Sequence, residues 1–265
     1  MSKNLPAIVR DFDSLEATLS LTAVIADCQE RSGIMHSSIK PIDLTKKMIG
    51  TAVTVDLTAG DLQDPLGALD LVSEGSVVVV NAHGDTEVSV FGGLMGSLFK
   101  LKGARGVVID GACRDTDENR DIGIPVFSRS VTPRGTHTMF SGRKDDITYQ
   151  SPVTCGGVLV RPGDLVVGDE MGVVVIQAER ASEIYDAARS QADREEATRE
   201  KIRAGWTVQQ ILDEFGRIKK LRRKNDRKLP QSLFTHWHKR PRSRASRRVL
   251  HRSAGLVRDH ASNFD

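Results

Sequence analysis

The chain has little cysteine and no long apolar run. Its three cysteines, Cys28, Cys113 and Cys155, are too few and too scattered for a disulfide framework or a zinc ribbon. A reduced, cytoplasmic setting is the expectation that follows. No apolar stretch approaches the ~18 residues needed to cross a bilayer, so no membrane association is expected. The N-terminal residues lack the apolar core of a secretory signal. No glycine-rich loop carries the dinucleotide spacing. The best candidate, Gly92-Gly93-x-x-Gly96, reads G-G-x-x-G and lacks the ribose-binding acid after the next strand. Asp115-Thr-Asp117-Glu118-Asn119 opens like a calcium loop. It has Arg120 where the sixth-position glycine belongs and Val126 at the twelfth position, which excludes that site.

Charge is present but uneven. The formal net charge of +3 conceals 16 Lys/Arg against 3 Asp/Glu in residues 217–265, and 22 against 32 in residues 1–216. The sequence therefore reads as an acidic globular domain over 1–216 followed by a basic extension over 217–265. The extension shows neither helical nor strand periodicity and is expected to be disordered. It is either a solvated tail or a binder of polyanions such as nucleic acid. Its His236-x-His238 pair has no carboxylate nearby and is assigned no metal.

Periodicity places the elements. Residues 14–28 read as one helix capped by Asp13 or Ser14, with Leu15, Leu19, Ala23 and Ala26 on one face. Gly50–Leu57 alternates as a strand, and Asp61–Val72 reads as a helix. Ser76–Asn81 holds four consecutive valines, the pattern of a strand buried on both faces. Leu94–Lys102 is a predicted helix, Gly106–Asp110 a buried strand and Pro125–Ser128 a short one. Beyond residue 153 come short strands, Val153–Val160, Asp164–Val167 and Val173–Ile176, separated by Arg161-Pro162-Gly163 and Asp169-Glu170-Met171-Gly172. Helices over 179–203 and 208–215 follow. The alternation argues for an α/β fold with a later β-rich portion packed on it.

The chemistry concentrates in FGGLMGSLFKLKGARGVVIDGACRD, residues 91–115. A glycine-rich turn, a helix and a strand lead to Arg114-Asp115, beyond the carboxyl end of a buried strand where α/β sheets bind ligands. Asp115 is a hard oxygen donor suited to Mg²⁺ or Mn²⁺. Arg114 offers a planar donor fork to a carboxylate, and the amides of Gly92, Gly93, Leu94 and Met95 form an anion-binding helix start. Together they suit a small 2-oxo acid bound to a metal. Asp117 and Glu118 either join an outer metal shell or cap the following helix. His83 and Asn81 lie on the same predicted sheet edge, His83 as a candidate acid/base and Asn81 as a candidate substrate contact.

The stretch 76–128, together with Arg161-Pro-Gly-Asp-Leu-Val-Val-Gly-Asp-Glu-Met-Gly-Val-Val-Val-Ile176, resembles the RraA-like family. The resemblance covers roughly residues 15–216. Its signature, G-x20-R-D-x2-E/D, is met by Gly93, Arg114, Asp115 and Glu118. It implies a layered α/β/β/α sandwich of the swivelling β/β/α type, assembled as trimers or hexamers with sites at subunit interfaces. It also implies a class II pyruvate aldolase acting on a 4-hydroxy-2-oxo acid such as 4-hydroxy-4-methyl-2-oxoglutarate, with oxaloacetate decarboxylation as a side activity. In that family Asp115 would bind the metal, Arg114 would hold the substrate and its enolate, and the amides of Gly92–Met95 would receive the pyruvyl carboxylate. Many members carry an acid where this chain has Gly92-Gly93. The resemblance thus leaves room for a carboxylate from a neighbouring chain, in the helix over 179–200. The family also includes non-catalytic regulators of ribonuclease E, the alternative reading, in which the Asp after the Arg can be missing.

Overall fold

The structure, a computed structural model, describes residues 5–15, 18–57, 66–136 and 148–215. The chain divides into two compact units, Met1–Trp206 and Thr207–Asp265. In the second unit the described residues include one helix, Val208–Phe215, at its expected position. The basic extension expected over 217–265 lies outside the described residues.

The first unit is built on an eight-stranded mixed sheet. Its strands are β1 (Lys40–Pro41), β2 (Met48–Asp56), β3 (Ser76–Ser89), β4 (Gly106–Cys113), β5 (Val126–Val131), β6 (Thr148–Tyr149), β9 (Leu165–Asp169) and β10 (Gly172–Ile176). They run in the order β1-β5-β4-β3-β2-β9-β10, with β6 pairing β2. The central four, β2 to β5, are parallel. A separate hairpin joins β7 (Val153–Cys155) to β8 (Val158–Val160). The helices are α1 (Ala7–Asp13), α2 (Leu21–Cys28), α3 (Gly93–Leu101), α4 (Thr116–Ile122) and α5 (Ala181–Arg203).

Two-sided burial of β3 and β4 dictates the layers. Val77, Val78, Val79 and Val80 are all fully buried, so both sheet faces need cover. On one face Phe91, Met95 and Phe99, in and just before α3, pack on Val78, Val80, Val107 and Ile109. On that same face α1, α2 and α5 cover the β9–β10 end through Phe12, Leu21, Ile25 and Ile184. The opposite face, with Val77, Val79, Val108 and Phe127, is covered by Val153, Cys155 and Val160 of the β7–β8 hairpin. The described layers are therefore helices, sheet and hairpin, a mixed α/β fold.

Several elements differ from the sequence reading. The single helix over 14–28 is two. Asp13 ends α1 rather than capping α2, and its carboxylate takes both guanidinium branches of Arg105 at 2.9 and 2.7 Å. The chain re-enters helix at Ser20, which is left-handed at φ 52°. The strand over 153–160 folds back at Gly156-Gly157, both at positive φ. The later β-rich portion is not one separate layer, because β9 joins the main sheet antiparallel to β2. Residues 61–65 of the helix expected over 61–72 lie outside the described residues; of the remainder, 66–67 are helical and Ala68–Asp70 is a 3-10 turn. Two aspartates of the 161–176 motif are structural acceptors. Asp164 takes the N–H groups of Arg161 and Ala178, and Asp169 takes those of Thr22 and Met171.

Candidate functional site

At the exit of β4 the chain turns sharply. Asp115 sits at φ 51°, ψ 46°, the left-handed region, as the residue that starts α4. Asp is among the few side chains that tolerate this conformation. Its carboxylate does not cap its own helix. It crosses to α3, where Oδ2 accepts the N–H of Gly93 at 3.1 Å. The Arg114 N–H donates to the Phe91 carbonyl at 2.9 Å, so the loops before α3 and after β4 are pinned to each other. Arg114 Nε lies 3.4 Å from Asp115 Oδ2, with the two side chains 46% and 40% exposed. The structure thus brings together Gly92, Gly93, Arg114 and Asp115. The N–H groups of Leu94 and Met95, in the first turn of α3, have no acceptor within their own helix.

The three glycines of the G-G-x-x-G stretch make room for three side chains from the α4 segment. A Cβ at Gly92 would lie 2.5 Å from Asp115 Oδ2, one at Gly93 would overlap the Glu118 carboxylate, and one at Gly96 would overlap Asn119 Oδ1. Gly92 is extended at φ −143°, so space rather than backbone conformation selects glycine there. Glu118 reaches over from α4 into the space that Gly93 leaves open. Asp117 stands exposed in the first turn of α4, where its charge complements the helix dipole.

Sequence reasoning missed Asn119. It is fully buried, and its Nδ2 donates to the carbonyls of Arg114 at 3.2 Å and Asp115 at 2.9 Å. Those two bonds hold the left-handed turn from beneath. Its Oδ1 is the one buried side-chain polar atom without a partner among the described residues.

The donor set fits a hard divalent cation. Asp115 and Glu118 put two carboxylates at the mouth of α3, and Mg²⁺ or Mn²⁺ is commonly held by one or two carboxylates with retained water. Among the described residues no group of three or more His, Cys, Asp or Glu could hold a metal. Cys113, just before Arg114, is fully buried. Burial pushes its thiol above the usual cysteine range, and Sγ lies 3.2 Å from Ser128 Oγ.

A cavity of about 350 Å³ adjoins this cluster, lined by Arg114, Asp115, Ser89 and Thr136 together with Leu66, Val90, Phe91, Leu94, Met95 and Leu98. His83 and Asn81 do not line it. Alternation along β3 puts Asn81 on the same face as Val77 and Val79, the hairpin side of the sheet. There His83 and Asn81 line a second pocket with Asp56, Asp110 and Arg129. His83 Nε2 lies 3.1 Å from Asp56 Oδ1, which also accepts from Asn81 Nδ2 at 2.7 Å. The expectation that His83 and Asn81 would work beside Arg114 meets a sheet that separates them.

Comparison with known proteins places this arrangement. Residues 21–175 match the RraA-like family model, described as Aldolase/RraA. A protein of Halalkalibacterium halodurans, provisionally named a 4-hydroxy-4-methyl-2-oxoglutarate aldolase, is 34% identical over 66% of this chain and 81% of its own length. A Deinococcus radiodurans protein with the same provisional name is 31% identical over 60% of this chain and 95% of its own. Among solved structures, Streptomyces coelicolor RraAS2, described as an unusual member of the RNase ES inhibitor RraA family, superposes with a TM-score of 0.64. It is 30% identical and covers 75% of this chain and 100% of its own. The family match spans more than half of the sequence, and it includes the Gly93, Arg114 and Asp115 cluster: the chain belongs to the RraA-like family.

Proposed function

We propose that this protein is a divalent-metal-dependent aldolase that cleaves a 4-hydroxy-2-oxo acid to pyruvate. The observation that carries the reading is the Asp115 carboxylate held at the amide-lined start of α3 with the Arg114 guanidinium beside it. In this reading Asp115 holds the cation, with Glu118 nearby as a further carboxylate. When bound, a divalent cation supplies electrophilic stabilisation of charge on the substrate's oxygen atoms.

The protein's own groups account for the remaining roles. The amides of Leu94 and Met95 receive the C1 carboxylate at a helix N-terminus, where the dipole favours an anion. Arg114 turns its guanidinium to the C2 oxygen and stabilises the charge that develops there. The C3–C4 bond breaks with its electron pair passing to C3 as the pyruvate enolate. The C4 hydroxyl proton leaves to water, C4 becomes the carbonyl carbon of the second product, and C3 takes a proton from water to complete pyruvate. Oxaloacetate decarboxylation passes through the same enolate and accompanies the main activity.

A coupled assay for pyruvate, run over a panel of 4-hydroxy-2-oxo acids and oxaloacetate with and without EDTA, tests the reading. Pyruvate release that EDTA abolishes and Mg²⁺ restores supports it. A protein inert towards the whole panel, yet able to bind and inhibit a ribonuclease E, would instead be a regulator.

A further inference from the structure

The Arg114 side chain runs past two glycines. A Cβ at Gly92 would lie 3.1 Å from its Nε and 3.3 Å from its Cγ, and one at Gly135 would lie 2.5 Å from its Nη1 and 3.4 Å from its Cζ. Gly92 is the residue before α3. Gly135 comes from a different part of the fold, the loop that follows β5. Its φ lies outside the positive range that side chains avoid. What glycine supplies there is therefore room for the guanidinium.

The loop is tied down just before Gly135. The Cys113 carbonyl accepts the N–H of Thr132 at 3.0 Å, and the Arg134 carbonyl accepts that of Ser89 at 2.8 Å. Ser130 Oγ donates to the Thr86 carbonyl at 2.9 Å. Ser89 and Cys113 are the last residues of β3 and β4, so the loop is fastened to the same strand ends that carry Arg114. The guanidinium, by contrast, is the half-exposed far end of a long side chain. A methyl on Gly135 thus moves the arginine before it moves the loop. Ordinary contact begins at 3.4 Å, so Nη1 has to retreat by about an ångström. All of these contacts lie within one chain.

We infer that Gly135 is a positioning residue for Arg114: by carrying no side chain, it sets where the guanidinium stands beside Asp115. Resting on the aldolase reading above, that position decides how well the guanidinium meets the charge developing on the substrate's C2 oxygen. The charge is greater in the transition state than in the bound substrate, so misplacement lowers kcat and leaves KM nearly unchanged. A displacement of about an ångström costs on the order of 100-fold.

The test uses full-length Gly135→Ala, Arg114→Lys and the double variant, each with Mg²⁺. Steady-state pyruvate formation gives kcat and KM. The ¹H–¹⁵N signal of Arg114 Nε, assigned by its loss in Arg114→Lys, reports the guanidinium's surroundings with or without turnover. The expected result for Gly135→Ala is a moved Nε signal and a melting temperature within a few degrees of the parent. Its kcat should fall by about 100-fold, with KM within about two-fold. In the Arg114→Lys background, where there is no Nη1 to displace, the same methyl should change kcat by less than about two-fold. An unmoved signal overturns the inference. So does an equal loss of activity or of folding in both backgrounds, because the methyl would then act on the loop and not on the arginine. A moved signal in a protein whose parent forms no pyruvate leaves the positioning intact and sinks the aldolase reading instead.

Discussion

The Asp115 carboxylate accepts the N–H of Gly93 at 3.1 Å, tying the second residue after β4 to the first residue of α3. This bond does not cap α4, the helix that Asp115 begins. It aims an acid across the sheet edge, and the neighbouring glycines exist to leave it space.

Gly92→Ala tests that use of space. The new methyl meets Asp115 Oδ2 at a backbone position that any residue can adopt. Thermal stability should change by no more than a few degrees. Displacing an aimed carboxylate by about an ångström costs on the order of 100-fold, so kcat/KM for pyruvate formation should fall by roughly that factor. Steady-state kinetics beside a melting curve separates the two effects.

Asn119→Ala removes both side-chain donors beneath the left-handed turn. A buried amide making two such bonds is worth about 1–3 kcal/mol, which in a unit of about 200 residues lowers Tm by roughly 2–10 °C. Activity should fall with it. Gly96→Ala should be costly alone, because its methyl overlaps Asn119 Oδ1, and nearly silent in the Asn119→Ala background. Additive effects in that double-mutant cycle would show that the two positions are not coupled.

His83→Ala should leave kcat/KM for pyruvate formation within about two-fold of the parent. His83 faces Asp56 in the pocket on the hairpin side, and α3 lies on the other. A loss of ten-fold or more would place the imidazole in the reaction.

How far the sequence was legible follows from these residues. The valine runs of β3 and β4, the α3 helix and the Arg114-Asp115 pair could all be read from periodicity and spacing. The position of His83 could not. A strand end has two faces, and alternation alone does not say which of them carries α3. Asn119 left no pattern, because its role is a hydrogen bond to the carbonyls of its own turn. The break between α1 and α2 was hidden for a similar reason: the left-handed residue there is Ser20, with no glycine or proline to mark it.

Arg105→Ala probes the scaffold rather than the site. Arg105 makes a two-branched pair with Asp13 that is largely shielded from solvent. Such a pair is stronger than an exposed one, and its loss should cost about 1–3 kcal/mol in a urea titration, with kcat unaltered. An unchanged midpoint would mean that the pair adds nothing to stability.

The most direct test of the central claim is pyruvate release by Asp115→Asn at saturating Mg²⁺, measured on a 4-hydroxy-2-oxo acid that the parent cleaves. The Asn side-chain oxygen can still accept the Gly93 N–H, so the fold is kept while the charge that would hold the cation is removed. The account predicts a loss of kcat/KM of about 100-fold or more with a melting temperature within a few degrees of the parent. Turnover equal to the parent's would contradict it.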